Sequence, residues 1–426
     1  MLRLDTAAPD FAVQFDALVG ARREAECDVA SDVAAIIAHV RSDGDAAVAE
    51  LTQRFDGHSL PWRISLDEAK DAYGALDPAL RDALELAAKR IRSYHVAQIP
   101  KNSDARDDAG VRMGARWNAV DAAGIYVPGG RAAYPSSVLM NAIPAKVAGA
   151  QRIVMVTPTP DGHINPAVLA AAYIAGVDEI WRIGGAQAIA ALAYGTETIA
   201  PVDVITGPGN AWVAEAKRQV FGVVGIDMVA GPSEILVVAD ARNNPDWIAA
   251  DLMSQAEHDP TSQSILITDD AAFAEAVAAA VTWLCACPMF AGVAAQSWAQ
   301  HGAIITVASF DEIALLINRL APEHLQIALD DDAAEALFAA VRHAGSVFLG
   351  RMTPEAIGDY VAGPNHVLPT GRRARFASGL SVLDYMKRTS FIAADAAALA
   401  AIGPAAILLA EAEGLPAHAM SVRQRL

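Results

Sequence analysis

Gln255 and His258 close the run Trp247-Ile-Ala-Ala-Asp-Leu-Met-Ser-Gln-Ala-Glu-His258. Asn244-Pro245 ahead of it reads as an N-cap with a first-turn proline. Pro260 cannot continue a helix, and it pushes Asp259 out of helical space. The predicted helix therefore sets Gln255 and His258 three apart in its last turn, on one face, with Glu257 turned away. An amide oxygen and an imidazole shown together could grip a divalent cation; equally, they could be hydrogen-bonded groups at an ordinary helix end. On these two residues alone both readings stand.

A second pair, Glu323-His324, follows Pro322, which fixes the backbone just ahead of it. An adjacent carboxylate and imidazole offer two proton-transfer groups near neutral pH, where histidine titrates. A solvated pair at a helix start is the alternative. Three turns are rich in glycine: Val127-Pro-Gly-Gly130, Gly184-Gly-Ala-Gln187 and Gly207-Pro-Gly-Asn210. Glycine there allows tight turning and lets a phosphate approach the amides of a helix start, although any one such turn needs no ligand to explain it. None is a standard GxGxxG fingerprint, since Trp212 stands where the third glycine of the last would fall. Asp227, about twenty residues further on, sits at the spacing of a ribose-binding acid, which we read as coincidence.

The elements that must position these residues are legible in part. Residues 1 to about 120 read as mainly helical, with helices over 33–40 and 46–55 separated at Asp43-Gly44. From Gly124 onward, apolar runs at 125–127, 152–156, 179–183 and 202–205 alternate with helical patterns at 137–148, 166–175, 187–194 and 211–220. A second series of runs follows at 235–238, 264–267, 303–306 and 346–349. Continuous rather than alternating apolar runs indicate strands buried on both faces, hence parallel sheets wound with helices. The predicted fold is α/β, with two Rossmann-like parallel-sheet domains. Glycine-rich turns at the carboxyl ends of one such sheet would open into a shared crevice.

With 426 residues the chain exceeds one compact core. A net charge of -18 argues against nucleic acid and anionic membrane surfaces. Three cysteines, Cys27, Cys285 and Cys287, make no disulfide framework and fit a reducing compartment; Cys285-Ala-Cys287 reads as packing rather than a metal pair. The start Met1-Leu-Arg-Leu-Asp5 has no signal-peptide pattern, and Glu275 and Pro288 interrupt the alanine-rich run 271–299, which reads as a soluble amphipathic helix. The expected location is the cytoplasm, with no membrane or nucleic-acid partner.

The segment Ile226-Asp-Met-Val-Ala-Gly-Pro-Ser-Glu234, followed by Ser254-Gln-Ala-Glu-His258, resembles the signature of the histidinol dehydrogenase family. The resemblance continues through Gly124-Ile-Tyr-Val-Pro-Gly-Gly130, Ile183-Gly-Gly-Ala-Gln187, Thr206-Gly-Pro-Gly-Asn210, Ala321-Pro-Glu-His324, Gly358-Asp-Tyr-Val-Ala-Gly-Pro-Asn-His366 and Glu413-Gly-Leu-Pro-Ala-His418. It implies NAD-dependent oxidation of L-histidinol to L-histidinal and then L-histidine, the closing steps of histidine biosynthesis. His324 would be the base that takes the alcohol proton, and Glu323 would activate water for attack on the aldehyde. Gln255, His258, Asp359 and His418 would hold one zinc per subunit, a mixed N/O set that would also suit manganese. The same four residues with Ser233, His324, His366 and Glu413 would surround the substrate; for His366 a structural hydrogen bond across the Pro364-Asn365 turn remains the alternative. Tyr126, Gln187 and Asn210 would contact NAD.

The resemblance further implies a homodimer that shares its active site between chains. It also implies a division into an N-terminal arm (1–20), a larger discontinuous α/β domain (21–122 and 235–375), an inserted domain (123–234) and a C-terminal arm (376–426). A paralogous zinc and NAD enzyme of another small diol, such as sulfopropanediol, is the alternative; 363–370 and 378–382 look like the histidinol form. The other histidines (His39, His58, His95, His163, His301 and His343) lie outside these blocks.

Overall fold

The computed structural model describes residues 1–21, 29–129, 133–229 and 231–426, so Cys27, Gly130 and Ala230 of the motifs above lie outside the described residues. Two six-stranded sheets and one three-stranded sheet organise the described residues. In the first sheet the strands run in the order Arg63–Ile64, Glu179–Trp181, Arg152–Val156, Ala122–Tyr126, Val204–Thr206 and Gly225–Ile226. All are parallel except the short edge strand Arg63–Ile64. The central strand Ala122–Tyr126 is buried at every position, as its unbroken apolar run requires. Its side chains alternate between two cores. Ile125, Ile153, Met155 and Ile180 pack with Leu84, Ile91, Leu139 and Ile143 on one face; Tyr126, Val154 and Val156 pack with Val33, Ile37, Val48 and Leu51 on the other.

Those partners correct the expected grouping of the N-terminal helices with the second sheet. Helices Ala30–Asp56, Leu66–Ala75 and Pro78–Val96 cover the first sheet, because their apolar stripes meet its two faces. Gly44, with φ +51°, interrupts helical geometry in Ala30–Asp56 at the Asp43-Gly44 break.

The second sheet is wholly parallel, in the order Leu2–Asp5, Ala303–Thr306, Gln263–Thr268, Glu234–Ala239, His324–Ala328 and Ser346–Leu349. Residues expected in a separate N-terminal arm thus supply its edge strand, with Leu2 paired to Ala303. The strand His324–Ala328, absent from the sequence-based list, lies between Glu234–Ala239 and Ser346–Leu349.

Strands Ser103–Arg106, Arg112–Ala119 and Met386–Ala393 form the antiparallel third sheet, in a region expected to be helical up to 120. Their largely exposed, polar residues carry no apolar period to betray a strand. Helices Ala396–Ala412 and Pro416–Arg423 follow and pack on each other. The alanine-rich run 271–299 forms two helices, Ala271–Ala286 and Val293–His301, rather than one. Among the described residues no helix is long and apolar enough to cross a membrane.

Candidate active site

Ala321, at φ +44°, closes helix Ile313–Leu320, and Pro322 then delivers Glu323-His324 into the first position of a central strand. The pair is therefore not a solvated helix start: both side chains are buried. The backbone of Glu234, at the head of the neighbouring strand, holds both of them. Its carbonyl lies 3.0 Å from His324 Nδ1, and its amide donates to Glu323 Oε2 at 2.8 Å. Because a carbonyl can only accept, Nδ1 carries the ring proton and Nε2 is left as the basic nitrogen. Burial lowers the His324 pKa, against the opposing pull of Asp359, and so favours the neutral ring. Burial pushes the Glu323 carboxyl well above the usual carboxylate range, against the hydrogen bond from the Glu234 amide.

The helix that brings Gln255 runs Pro245–Ala256, capped by the Asn244 side chain accepting from the Asp246 amide at 2.9 Å. It ends two residues earlier than expected, so Gln255 occupies its last turn and His258 lies just beyond. The His258 amide still reaches back to the Gln255 carbonyl at 3.3 Å. His258 Nε2 stands 3.8 Å from Asp359 Oδ2. Asp359 is carried on the short helix Ala356–Tyr360, with His366 Nδ1 3.0 Å from its carbonyl and 3.6 Å from its carboxylate. Burial raises the Asp359 pKa, but the hydrogen bond from His366 and the charges of His366, His324 and His258 outweigh it and bring the carboxyl to about 2.

One residue of this cluster escaped the sequence reading. Glu355 is buried, and its Oε1 lies 3.5 Å from His324 Nε2, while Ser254 Oγ donates to its Oε2 at 3.4 Å. Its position four residues before Asp359, a helical repeat, is the signal that could have found it. Burial and then the Asp359 charge push its carboxyl up to about 8.

Donor atoms of His324, Glu355 and Asp359 all lie within 4.8 Å of one another. His324 Nε2, Glu355 Oε1 and Gln255 Oε1 are buried without a hydrogen-bond partner among the described residues. Such orphaned donors are costly unless a cation or polar ligand completes them, so this N/O set fits a hard or borderline divalent metal with its substrate. Ser233, half-buried, immediately precedes Glu234. Glu413 and His418 are exposed, at the end of helix Ala396–Ala412 and within Pro416–Arg423. Among the described residues neither forms a hydrogen bond or ion pair with Gln255, His258 or Asp359 through its side chain.

The glycine turns lie at the carboxyl ends of the first sheet. Tyr126 is buried, its hydroxyl accepting from the Gly185 amide at 3.1 Å, and burial pushes its pKa to about 12. Gln187 is buried with Oε1 unpartnered. Asn210 is exposed and caps helix Ala211–Val220, accepting from the Trp212 and Val213 amides at 3.1 and 3.2 Å. Gly207, at φ +111°, packs so closely on Tyr126 that a Cβ there would fall 2.1 Å from the Tyr126 carbonyl oxygen. Asp227 does not stand free for a ribose: it accepts from the Gly207 amide at 2.8 Å. Cys285 packs beside the core of the second sheet, as expected of a packing residue.

The family model described as histidinol dehydrogenase matches residues 20–426. The histidinol dehydrogenase of Zymomonas mobilis is 64% identical, covering 100% of this chain and 99% of that protein. That of Ruegeria pomeroyi is 62% identical, covering 99% and 98%. The crystal structure of histidinol dehydrogenase from Elizabethkingia anophelis superposes with a TM-score of 0.94 at 36% identity, over 100% of this chain and 98% of that one. With a family match over nearly its whole length and relatives above 60% identity end to end, the chain belongs to the histidinol dehydrogenase family.

Proposed function

We propose that this protein oxidises L-histidinol to L-histidinal and then to L-histidine, reducing two NAD per turnover, in the cytoplasm. The observation that carries the reading is the buried Glu323-His324 pair, held by one backbone residue and opening onto the unpartnered donors around Asp359. Tyr126, Gln187 and Asn210 would hold NAD, which would supply the hydride acceptor. Gln255, His258, Asp359 and His418 would hold zinc, which would supply a fixed positive charge for a nitrogen-bearing substrate.

The chain itself handles the protons. His324, neutral and with Nε2 free, takes the hydroxyl proton as the carbinol C–H leaves as hydride, giving the aldehyde. Glu323 then removes a proton from water as its oxygen bonds to the aldehyde carbon, and the hydrate anion loses a second hydride to give the carboxylic acid, which releases its own proton to solvent as the carboxylate. The raised Glu323 pKa makes its ionised form a stronger base than a solvated carboxylate. Ser233, His366 and Glu413 line the substrate.

We further propose that the protein works as a homodimer in which His418 and Glu413 of one copy complete the site of the other. Leu408, Leu409 and Met420 leave a strongly exposed apolar surface on the C-terminal helices, which a second copy would cover. Anaerobic incubation with histidinol and NAD tests the reaction. The expected yield is two NADH per histidinol consumed, with none from sulfopropanediol. A yield of one, or preference for the sulfonated diol, removes the reading.

A further inference from the structure

Lys217 occupies an apolar stripe. It lies on helix Ala211–Val220 among the buried Val213, Ala216 and Val220, with its side chain only 2% exposed. The ammonium forms an ion pair with Asp227, whose side chain is 1% exposed, and donates to the Gly207 carbonyl at 2.9 Å. Asp227 in turn accepts from the Gly207 amide at 2.8 Å and from the Met228 amide at 2.6 Å. Both polar backbone atoms of one glycine are thus gripped by the two halves of one buried ion pair. Burying such a pair is rarely more stabilising than packing two apolar groups of similar size. An apolar residue at 217 could fill the stripe without desolvating a charge. What it could not supply is this hold on Gly207.

Gly207 opens the turn that ends at Asn210, and its left-handed φ seats it on the Tyr126 backbone. Asp227 lies at the opposite boundary, where the last strand of the first sheet, Gly225–Ile226, gives way to the connection leading to Ser233 and Glu234. We propose that Lys217 and Asp227 are positioning residues for the dinucleotide, clamping the Gly207–Asn210 turn in its binding form before NAD arrives. This rests on the assignment of Tyr126 and Asn210 as NAD contacts. Preorganisation of this kind removes an ordering cost from binding.

The test is calorimetric titration of NAD into the wild type and a Lys217→Met/Asp227→Asn double variant, which leaves no lone buried charge. The expected result is a dissociation constant raised about tenfold or more, the scale of a lost charge-assisted hydrogen bond. The KM for histidinol should stay within about threefold, since its site lies on the second sheet. A folded variant that binds NAD as the wild type does overturns the proposal and leaves the pair a purely structural element. Should the variant not fold, hydrogen exchange of the wild type decides. Slow exchange of the 204–213 amides without NAD supports the clamp; fast exchange that slows only on adding NAD overturns it. Because NAD binding is read without turnover, an inactive wild type would count against the histidinol reading and not against the clamp.

Discussion

At the scale of single residues the site separates three carboxylates by environment. Glu323 and Glu355 are both held above the ordinary carboxylate range by burial, and Asp359 is brought low by its three histidine neighbours. If Glu323 serves water activation, Glu323→Gln should slow oxidation of supplied histidinal by about 100-fold or more while oxidation of histidinol to histidinal falls far less. Equal losses with the two substrates would remove Glu323 from the second step. Glu355 yields a prediction about stability. Its folded pKa, about 8, lies above the ordinary value of 4.5, so the folded state binds the extra proton. Stability from this group is therefore full below pH 4.5 and is lost as pH rises through 8. Urea unfolding of metal-stripped protein should show the wild type losing more stability between pH 6 and pH 9 than Glu355→Gln, by about 1 kcal/mol or more. Parallel losses in both proteins would show that Glu355 is already ionised at pH 6.

At the scale of elements, the proposed catalytic groups stand at strand heads and helix ends, where small backbone shifts move them directly. The Phe348 ring, with its centroid 6.2 Å from that of His324, lies against Gly358, and a Cβ at 358 would fall 2.4 Å from Phe348 Cε1. Gly358→Ala should therefore displace either the ring or the short helix that carries Asp359. We expect a loss of activity of about tenfold or more, from ångström-scale misplacement, with the melting temperature lowered by only a few degrees. A variant with wild-type kinetics would show that this contact relaxes without moving Asp359. The glycine turns of the first sheet lie at the carboxyl ends of parallel strands, where α/β sheets commonly bind ligands, but Glu234 and His324 sit at the amino ends of theirs.

For the whole molecule, the exposed apolar surface of the C-terminal helices is what the proposed dimer would cover. Mixing and refolding His258→Ala with His418→Ala tests the shared site. In a heterodimer that exchanges these helices, both substitutions fall in one site and the other is intact, so activity should return to about half of the wild-type value per heterodimer. Heterodimers that form and stay inactive would mean that His418 serves its own chain.

How much of this was readable beforehand follows from range. Strands 152–156, 303–306 and 346–349 and helices 166–175 and 211–220 appear at the residues expected, because an apolar run or a capped helix declares itself locally. The motif blocks around Gln255, Glu323 and Asp359 were equally plain, since residue type and order do not depend on folding. Tertiary structure alone decided the rest. Which sheet the N-terminal helices cover depends on which faces meet, and no local pattern encodes that. Residues 2–5 form a strand only because a distant partner, 303–306, supplies their hydrogen bonds, and 112–119 pair with the distant 386–393 as well as with 103–106. His324 became a buried imidazole with a defined free nitrogen because Glu234, ninety residues away in sequence, offers its carbonyl. The drop in the Asp359 pKa likewise exists only where His258, His324 and His366 converge, since electrostatic coupling acts through space and not along the chain.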